Sequence, residues 1–391
     1  MRILFFIYVR GHGSGGHYHS LNHISQSIGE QNEVKIISFG TGFSKILELN
    51  PNFSRHIFFN GCNILTLRNG IKKIIKTFQP EIFHCFDDSS YNIVRLLINS
   101  KKNKIILNKC GGPNYDFYPY AKNLILFSQE NLNWFHRFKK FEDCNIHLIP
   151  NRVRGLIENK EVQQIHKNDN EFNFIRISRI GIEYKKSIFD SIHLINYLLS
   201  IGFYSVRLYV IGVVQNYTIL REIEEHPLVD QKKVFLLTES NYTTEASKML
   251  YLADAVIGTG RGLMEAASLG KPILTINSED TYPVLLTSSN FMDAFKTNFS
   301  ERNIFKSYDT SVNLKNIMKL ISDKSFYFKQ GFFAKKVFNE YFDIEKVSGA
   351  YLKVYQTAKL GDRKILSDFK PILRSWKWFY IDYLRFRKSK H

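Results

Sequence analysis

The chain is short of acid. Asp and Glu number 36 against 54 Lys and Arg, which leaves a formal charge of +18 over 391 residues. That imbalance argues against a cationic partner and points to an anionic one: a phosphorylated substrate, an anionic lipid surface or nucleic acid. Cysteine is scarce as well. The four cysteines, Cys62, Cys85, Cys110 and Cys144, are widely spaced with no C-x-x-C. This excludes a zinc ribbon or a disulfide framework and leaves reduced structural thiols, as in a cytoplasmic protein. No apolar run approaches the about 18 residues of a membrane span. The opening "MRILFFIYVRGHGSGG" lacks the small-residue cleavage region of a signal peptide, and Ile3–Val9 reads as a buried strand. The sequons at Asn52, Asn216, Asn241 and Asn298 then read as chance in an Asn-rich chain. No D-x-D triplet occurs, Asp87-Asp88 being the nearest approach. No RNA- or DNA-reading motif occurs either, and outside the C-terminus the basic residues are spread along the chain, so a nucleic-acid partner is not expected.

Apolar residues make up 44% and aromatics 15%, ample for folding, and the length favours two domains. Strand-like and helix-like runs alternate, the pattern of parallel α/β sheets. "RILFFIYV", "EVKIISFG", "EIFHCF", "KIILNK", "NLILFSQ" and "IHLIPN" read as strands of a first domain over residues 1–160. Polar residues 156–171 read as a linker. "FNFIRIS", "VRLYVIG", "KVFLLTE", "DAVIG" and "PILTIN" read as strands of a second domain over 170–350. Short apolar runs of this kind suit strands covered on both faces. In such sheets ligands sit at the carboxyl ends of the strands, and two such domains facing each other make a cleft.

Residues 351–391 form a tail of different character. In "FKPILRSWKWFYIDYLRFRKSKH", Trp376, Trp378, Phe379, Tyr380, Tyr383 and Phe386 mix with Lys377, Arg385, Arg387, Lys388 and Lys390. A basic, aromatic amphipathic helix suits an anionic membrane surface; it equally suits a terminal helix packed back on the N-terminal domain.

"IGTGRGLMEAASLGKPIL", residues 257–274, carries the most chemistry. A strand ends in Gly258, Gly260 and Gly262 around Arg261, and a short helix runs to Gly270, whose left-handed conformation would cap it. A helix start with close-approach glycines cradles a phosphate, and Arg261 could add a charge-assisted contact. Glu265 could accept hydrogen bonds from vicinal hydroxyls such as those of a ribose, or simply complement the helix dipole.

This stretch resembles the signature of GT-B glycosyltransferases, particularly the retaining family 4 (group 1). Glu265, Ala266, Gly270 and Pro272 match its second half, Gly258 and Gly260 its turn, while the first of its two acids falls on Ile257. The resemblance spans residues 1 to about 350 and implies an α/β fold of two Rossmann-like domains with a helical tail. It gives Glu265 the nucleotide ribose, and Gly15 and Gly16 of "GSGGHYHSLNHI" the donor phosphates, with His17 on the acceptor side. Arg179 and Lys186 in "ISRIGIEYKKS" correspond to the pair that clamps the donor diphosphate, with Lys185 the better fit by spacing. His84, at a strand end, is either a catalytic group or a core histidine. Lys109, with Gly111, Gly112 and Asn114 in "NKCGGPN", occupies a slot near the reacting sugar and suits an anionic acceptor group.

The expectation is therefore a hexosyltransferase acting on a UDP- or GDP-linked sugar and a lipid-linked or saccharide acceptor, with retention, in bacterial capsule or lipopolysaccharide assembly. The cationic residues would replace a metal at the leaving diphosphate. No other cofactor is expected. The enzyme would work in the cytoplasm, peripherally on the inner face of the plasma membrane, and domain closure would exclude water. The rival readings are an inactive nucleotide-sugar-binding protein and a sugar-nucleotide 2-epimerase.

Overall fold

The computed structural model describes residues 1–157, 165–361 and 367–388. The centre of the expected linker, 158–164, and the tail's Lys390 lie outside the described residues. The chain divides into two compact units, Met1–Arg152 with Ile344–His391, and Val153–Asp343. The second unit opens and closes on one parallel bridge, Val153 to Asp343, with the Val153 N–H donated to the Phe342 carbonyl at 2.8 Å. The chain therefore changes unit at 152–153, ahead of the polar stretch. Residues beyond that point are tied to the second unit, the Leu156 N–H to Ser268 Oγ (3.0 Å) and the Ile165 N–H to the Tyr251 hydroxyl (2.9 Å). Residues 344–350 belong to the first unit.

The first unit is built on β1 (Arg2–Val9), β2 (Glu33–Gly40), β3 (Phe53–Phe58), β4 (Ile82–Cys85), β5 (Lys104–Lys109), β6 (Asn123–Leu126) and β7 (Asn145–Leu148), in spatial order β3-β2-β1-β4-β5-β6-β7, all parallel. β1 shows why its sequence has no polar alternation. Ile3, Phe5, Ile7 and Val9 join the apolar cluster on one face, and Leu4, Phe6 and Tyr8 the cluster on the other. Both faces are covered, so every residue from Ile3 to Val9 is buried. β3 is the strand the apolar pattern does not announce. It is an edge strand, "FSRHIF", with mostly exposed or half-buried side chains.

The C-terminal segment returns to both faces of this sheet. Helix Ser348–Thr357 places Tyr351, Val354 and Tyr355 in the cluster of Ile3 and Phe5. Helix Phe369–Lys388 places Phe379 in the other cluster. Asn92 donates to Ser375 Oγ (2.9 Å), the Tyr8 hydroxyl to Asp382 (3.0 Å), and Trp376 Nε1 to the Gly61 carbonyl (2.9 Å). Asp368, just before this helix, is fully buried between Arg95 and Lys140, each at 2.6 Å. The opposite face of the helix exposes Leu373, Lys377, Tyr380, Leu384, Arg385, Arg387 and Lys388. No helix among the described residues is long and apolar enough to cross a membrane.

The second unit holds β8 (Phe172–Ile177), β9 (Val206–Ile211), β10 (Val234–Leu237), β11 (Ala255–Gly258), β12 (Ile273–Thr275) and β13 (Val284–Leu285), in order β10-β9-β8-β11-β12-β13. Only β13 runs antiparallel. In each sheet the strand order reverses beside the first strand, between β1 and β4 and between β8 and β11. Successive helices leave to opposite faces there, opening the space beyond the strand ends where α/β sheets take ligands.

Candidate functional site

The β8/β11 switch point of the second sheet carries the glycine motif. β11 ends at Gly258, whose carbonyl accepts from Thr275 Oγ1 at 3.0 Å; Asn303 Nδ2 donates to that same hydroxyl at 3.0 Å. Gly260, at φ 53° and ψ −126°, turns the chain in a conformation that a side chain would strain. Its N–H is held by the Phe299 carbonyl at 2.8 Å. Arg261 starts the helix, which ends at Ser268, and Gly270 at φ 68° closes it. A Cβ on Gly262 would meet nothing within 4 Å, so the first helical turn is open on that side.

Glu265, one turn in, is only 6% exposed and accepts from Arg261 Nη2. Burial pushes its carboxyl above the usual range, and Arg261 works against that shift. Nη1 of Arg261 is buried and bonded to nothing among the described residues. The two side chains to which the sequence gives separate ligand contacts thus pair with each other.

The neighbouring strand brings the cations. Arg179 follows the end of β8, exposed, with its guanidinium on the Tyr184 hydroxyl (2.9 Å) and Glu183 (3.5 Å). Helix Lys185–Ser200 decides between the two lysines. Lys185 turns aside to pair with Glu222. Lys186 reaches Asp190 (2.7 Å) and the carbonyls of Asp280 (2.6 Å) and Asn277 (3.4 Å), just past the end of β12. Lys186 is therefore the lysine at the carboxyl edge of the sheet.

Sequence reasoning missed Arg176 and Glu301. Arg176 lies within β8, fully buried, bonded through Nη2 to Ser187 Oγ and to Glu301 at 3.1 Å. Glu301 also accepts from Ser187 Oγ at 2.9 Å. Burial lowers the pKa of the guanidinium, opposed by Glu301. The available signal was an arginine inside a strand, "FNFIRI", otherwise nearly all apolar.

At the carboxyl edge of the first sheet, Gly15 precedes helix Gly16–Gly29 and His17 lies against Tyr18, ring centroids 3.9 Å apart. Gly111 and Gly112 follow β5 at φ 84° and 76°, and Asn114 accepts from Asn131 at 3.0 Å. Two of the expected groups are turned into the protein. His84 is 0% exposed, packed against Phe5 and Phe86, with Nδ1 on the Tyr355 hydroxyl at 3.0 Å. Burial drives its pKa down to about 3, so the ring is neutral and packed in the core, the second of the two readings its sequence position leaves open. Lys109 is equally withdrawn. Its ammonium donates to the carbonyls of Gly111 (2.9 Å), Gly112 (3.3 Å) and Pro113 (3.0 Å), and so holds the glycine turn together instead of facing a ligand.

No family model matches the sequence, and no curated protein does. Solved structures do match. HepE of Anabaena, solved in complex with UDP, superimposes with a TM-score of 0.65 at 14% identity over 91% of this chain and 100% of that one. A glycosyltransferase from Rickettsia africae gives 0.63 at 14% identity over 91% and 98%. The fold is GT-B. UDP-GlcNAc 2-epimerase from Neisseria meningitidis, bound to UDP-GlcNAc, gives 0.55 at 13% identity over 91% and 100%. One GT-B fold therefore carries both transfer and epimerisation, and the choice between them rests on the site itself. In this GT-B chain the glycine turn, Arg261, Glu265, Arg179 and Lys186 lie together at the carboxyl edge of the second sheet.

Proposed function

We propose that this chain is a nucleotide-sugar-dependent hexosyltransferase of the retaining family 4 type. It would move a sugar from a UDP- or GDP-sugar to a hydroxyl of a lipid-linked or saccharide acceptor in bacterial capsule or lipopolysaccharide assembly. One observation carries the reading: the Gly258–Glu265 turn and helix stand at a switch point with Arg179 and Lys186 on the adjoining elements. The relatives of this fold solved with UDP and UDP-GlcNAc support it.

Transfer leaves a diphosphate with growing negative charge. Arg179, Lys186, the backbone N–H groups of Arg261 and Gly262 and the helix dipole meet that charge, so the chain's own cations do the work of a metal. Glu265 takes the ribose hydroxyls. Arg261, relieved of its partner, turns its guanidinium to the phosphates. The leaving phosphate helps remove the acceptor's proton. Gly15 and Gly16 serve the donor phosphates, and His17, with the Gly111–Asn114 turn, forms the acceptor-facing edge of the first unit. The outward face of helix Phe369–Lys388 holds the enzyme to the anionic inner surface of the plasma membrane through Leu373, Tyr380, Leu384 and the arginines and lysines around them.

Calorimetry of UDP, GDP and their sugars, with and without EDTA, tests the core of this reading. Expected is EDTA-insensitive binding of one nucleotide, with transfer product and no C2 epimer formed from its sugar. Absence of binding to every nucleotide would overturn it.

A further inference from the structure

Residues 297–303 fold back over the carboxyl edge of the second sheet. They are pinned there by the Gly260 N–H on the Phe299 carbonyl (2.8 Å), by Asn303 on Thr275 (3.0 Å), and by the Ser278 N–H on the Asn303 carbonyl (2.9 Å). Glu301 hangs from this segment beside the glycine turn. Both of its bonds, from Arg176 and Ser187, fall on Oε1, and its side chain stays 27% exposed. The carboxylate is thus held firmly while its second oxygen stays able to accept.

The cost of that hold is evident. Arg176 is fully buried, and its Nε and Nη1 find no partner among the described residues. A buried arginine with two unmet donors is expensive where an apolar residue would pack. The pairing of β11 with β8 runs Ala255 to Phe174 and Val256 to Ile175, so the next residue beside Arg176 is Ile257, which carries no charge. Glu301 is the countercharge, delivered from a distant segment. Glu301 bonds Ser187, the residue after Lys186, and its segment holds the Gly260 N–H, one residue before Arg261; an anion at this cationic edge repels phosphate, so it suits a neutral hydrogen-bond donor lying next to phosphate.

Resting on the function proposed above, we propose that Glu301 accepts hydrogen bonds from hydroxyls of the sugar carried by the nucleotide and so sets which sugar is taken. Arg176 and Ser187 act as its positioning residues.

The test is calorimetry of Glu301→Gln against wild type with UDP, GDP, UDP-glucose, UDP-galactose, UDP-N-acetylglucosamine and GDP-mannose. The bare nucleotide should bind the variant within about twofold of wild type, while its sugar conjugate weakens about tenfold or more and discrimination among sugars flattens. Equal loss for nucleotide and conjugate, or no loss for either, would overturn the proposal and leave the nucleotide site standing. A wild-type protein that binds no nucleotide removes the function reading itself, and this inference with it. Should Glu301→Gln not fold, Ser187→Ala keeps the ion pair but loosens the carboxylate, with the same pattern expected at about threefold; an unchanged ratio of conjugate to nucleotide affinity there counts against the proposal.

Discussion

Arg261 donates to the carboxylate of Glu265 one helical turn further on, and both sit at the edge where the second sheet would receive a ligand. Under the proposed function the pair is a closed state of two groups that would each bind ligand. Opening it exchanges one charged hydrogen bond for several. Glu265→Ala is therefore expected to lower nucleotide affinity by about ten- to a hundredfold, the usual range for losing hydrogen bonds to a charged group. It also leaves the half-buried Arg261 without its countercharge, so thermal unfolding should be followed alongside. Nucleotide affinity equal to wild type in a folded variant would dismiss the ribose role.

The two adjacent lysines should behave differently. Lys186→Ala removes a cation at the carboxyl edge, and UDP affinity should fall about tenfold or more. Lys185→Ala removes only a half-exposed pair with Glu222, worth about 0–1 kcal/mol, and should leave affinity unchanged. Isothermal titration of both variants checks the assignment, and a reversed order would refute it.

His84→Phe should retain nucleotide binding and turnover, since the ring touches only the core. Losing the Tyr355 hydroxyl's partner costs about 1 kcal/mol. The folded protein leaves His84 unprotonated down to a pKa of about 3, against the ordinary 6.5, so the unfolded chain binds the extra proton between those values. Stability from this group is complete above pH 6.5 and is lost as pH falls from 6.5 toward 3. The variant should lose stability less steeply than wild type across that window, as read by denaturant unfolding at several pH values.

The C-terminal helix makes two separable contributions. Phe379→Ala opens a hole in the first unit's core and should cost about 3–5 kcal/mol of stability. Replacing Leu373, Tyr380 and Leu384 together by Ser should leave stability nearly unchanged and abolish binding to anionic liposomes. Liposome flotation and thermal unfolding of the two variants tell packing from attachment, and liposome binding retained by the triple variant would sink the membrane reading.

Much of the fold was legible because parallel strands covered on both faces must be apolar throughout. β1 reads as a strand from Ile3 to Val9 for that reason, and β3 escapes notice because an edge strand need not obey it. The glycine turn was legible because left-handed backbone favours glycine, as at Gly260 and Gly270, although Asn298 and Phe299 adopt it beside them without that signal. The surroundings of His84 and Lys109 were not legible, for a shared reason. A polar residue at a strand end looks the same in sequence whether it stands open at the sheet edge, as Arg179 does, or bonds back into the protein.

By itself, then, the sequence determined what is local: the strand and helix alternation, the turn at Gly260, the helix cap at Gly270 and the excess of positive charge. Tertiary structure decided which charges meet. Arg176 and Glu301 are 125 residues apart in the chain and 3.1 Å apart in space. Asp382 reaches back to the Tyr8 hydroxyl at the end of the first strand. Periodicity and turn chemistry act over a few residues, whereas the partner of a buried charge is fixed by where separate strands and loops end, and low dielectric makes that partner obligatory.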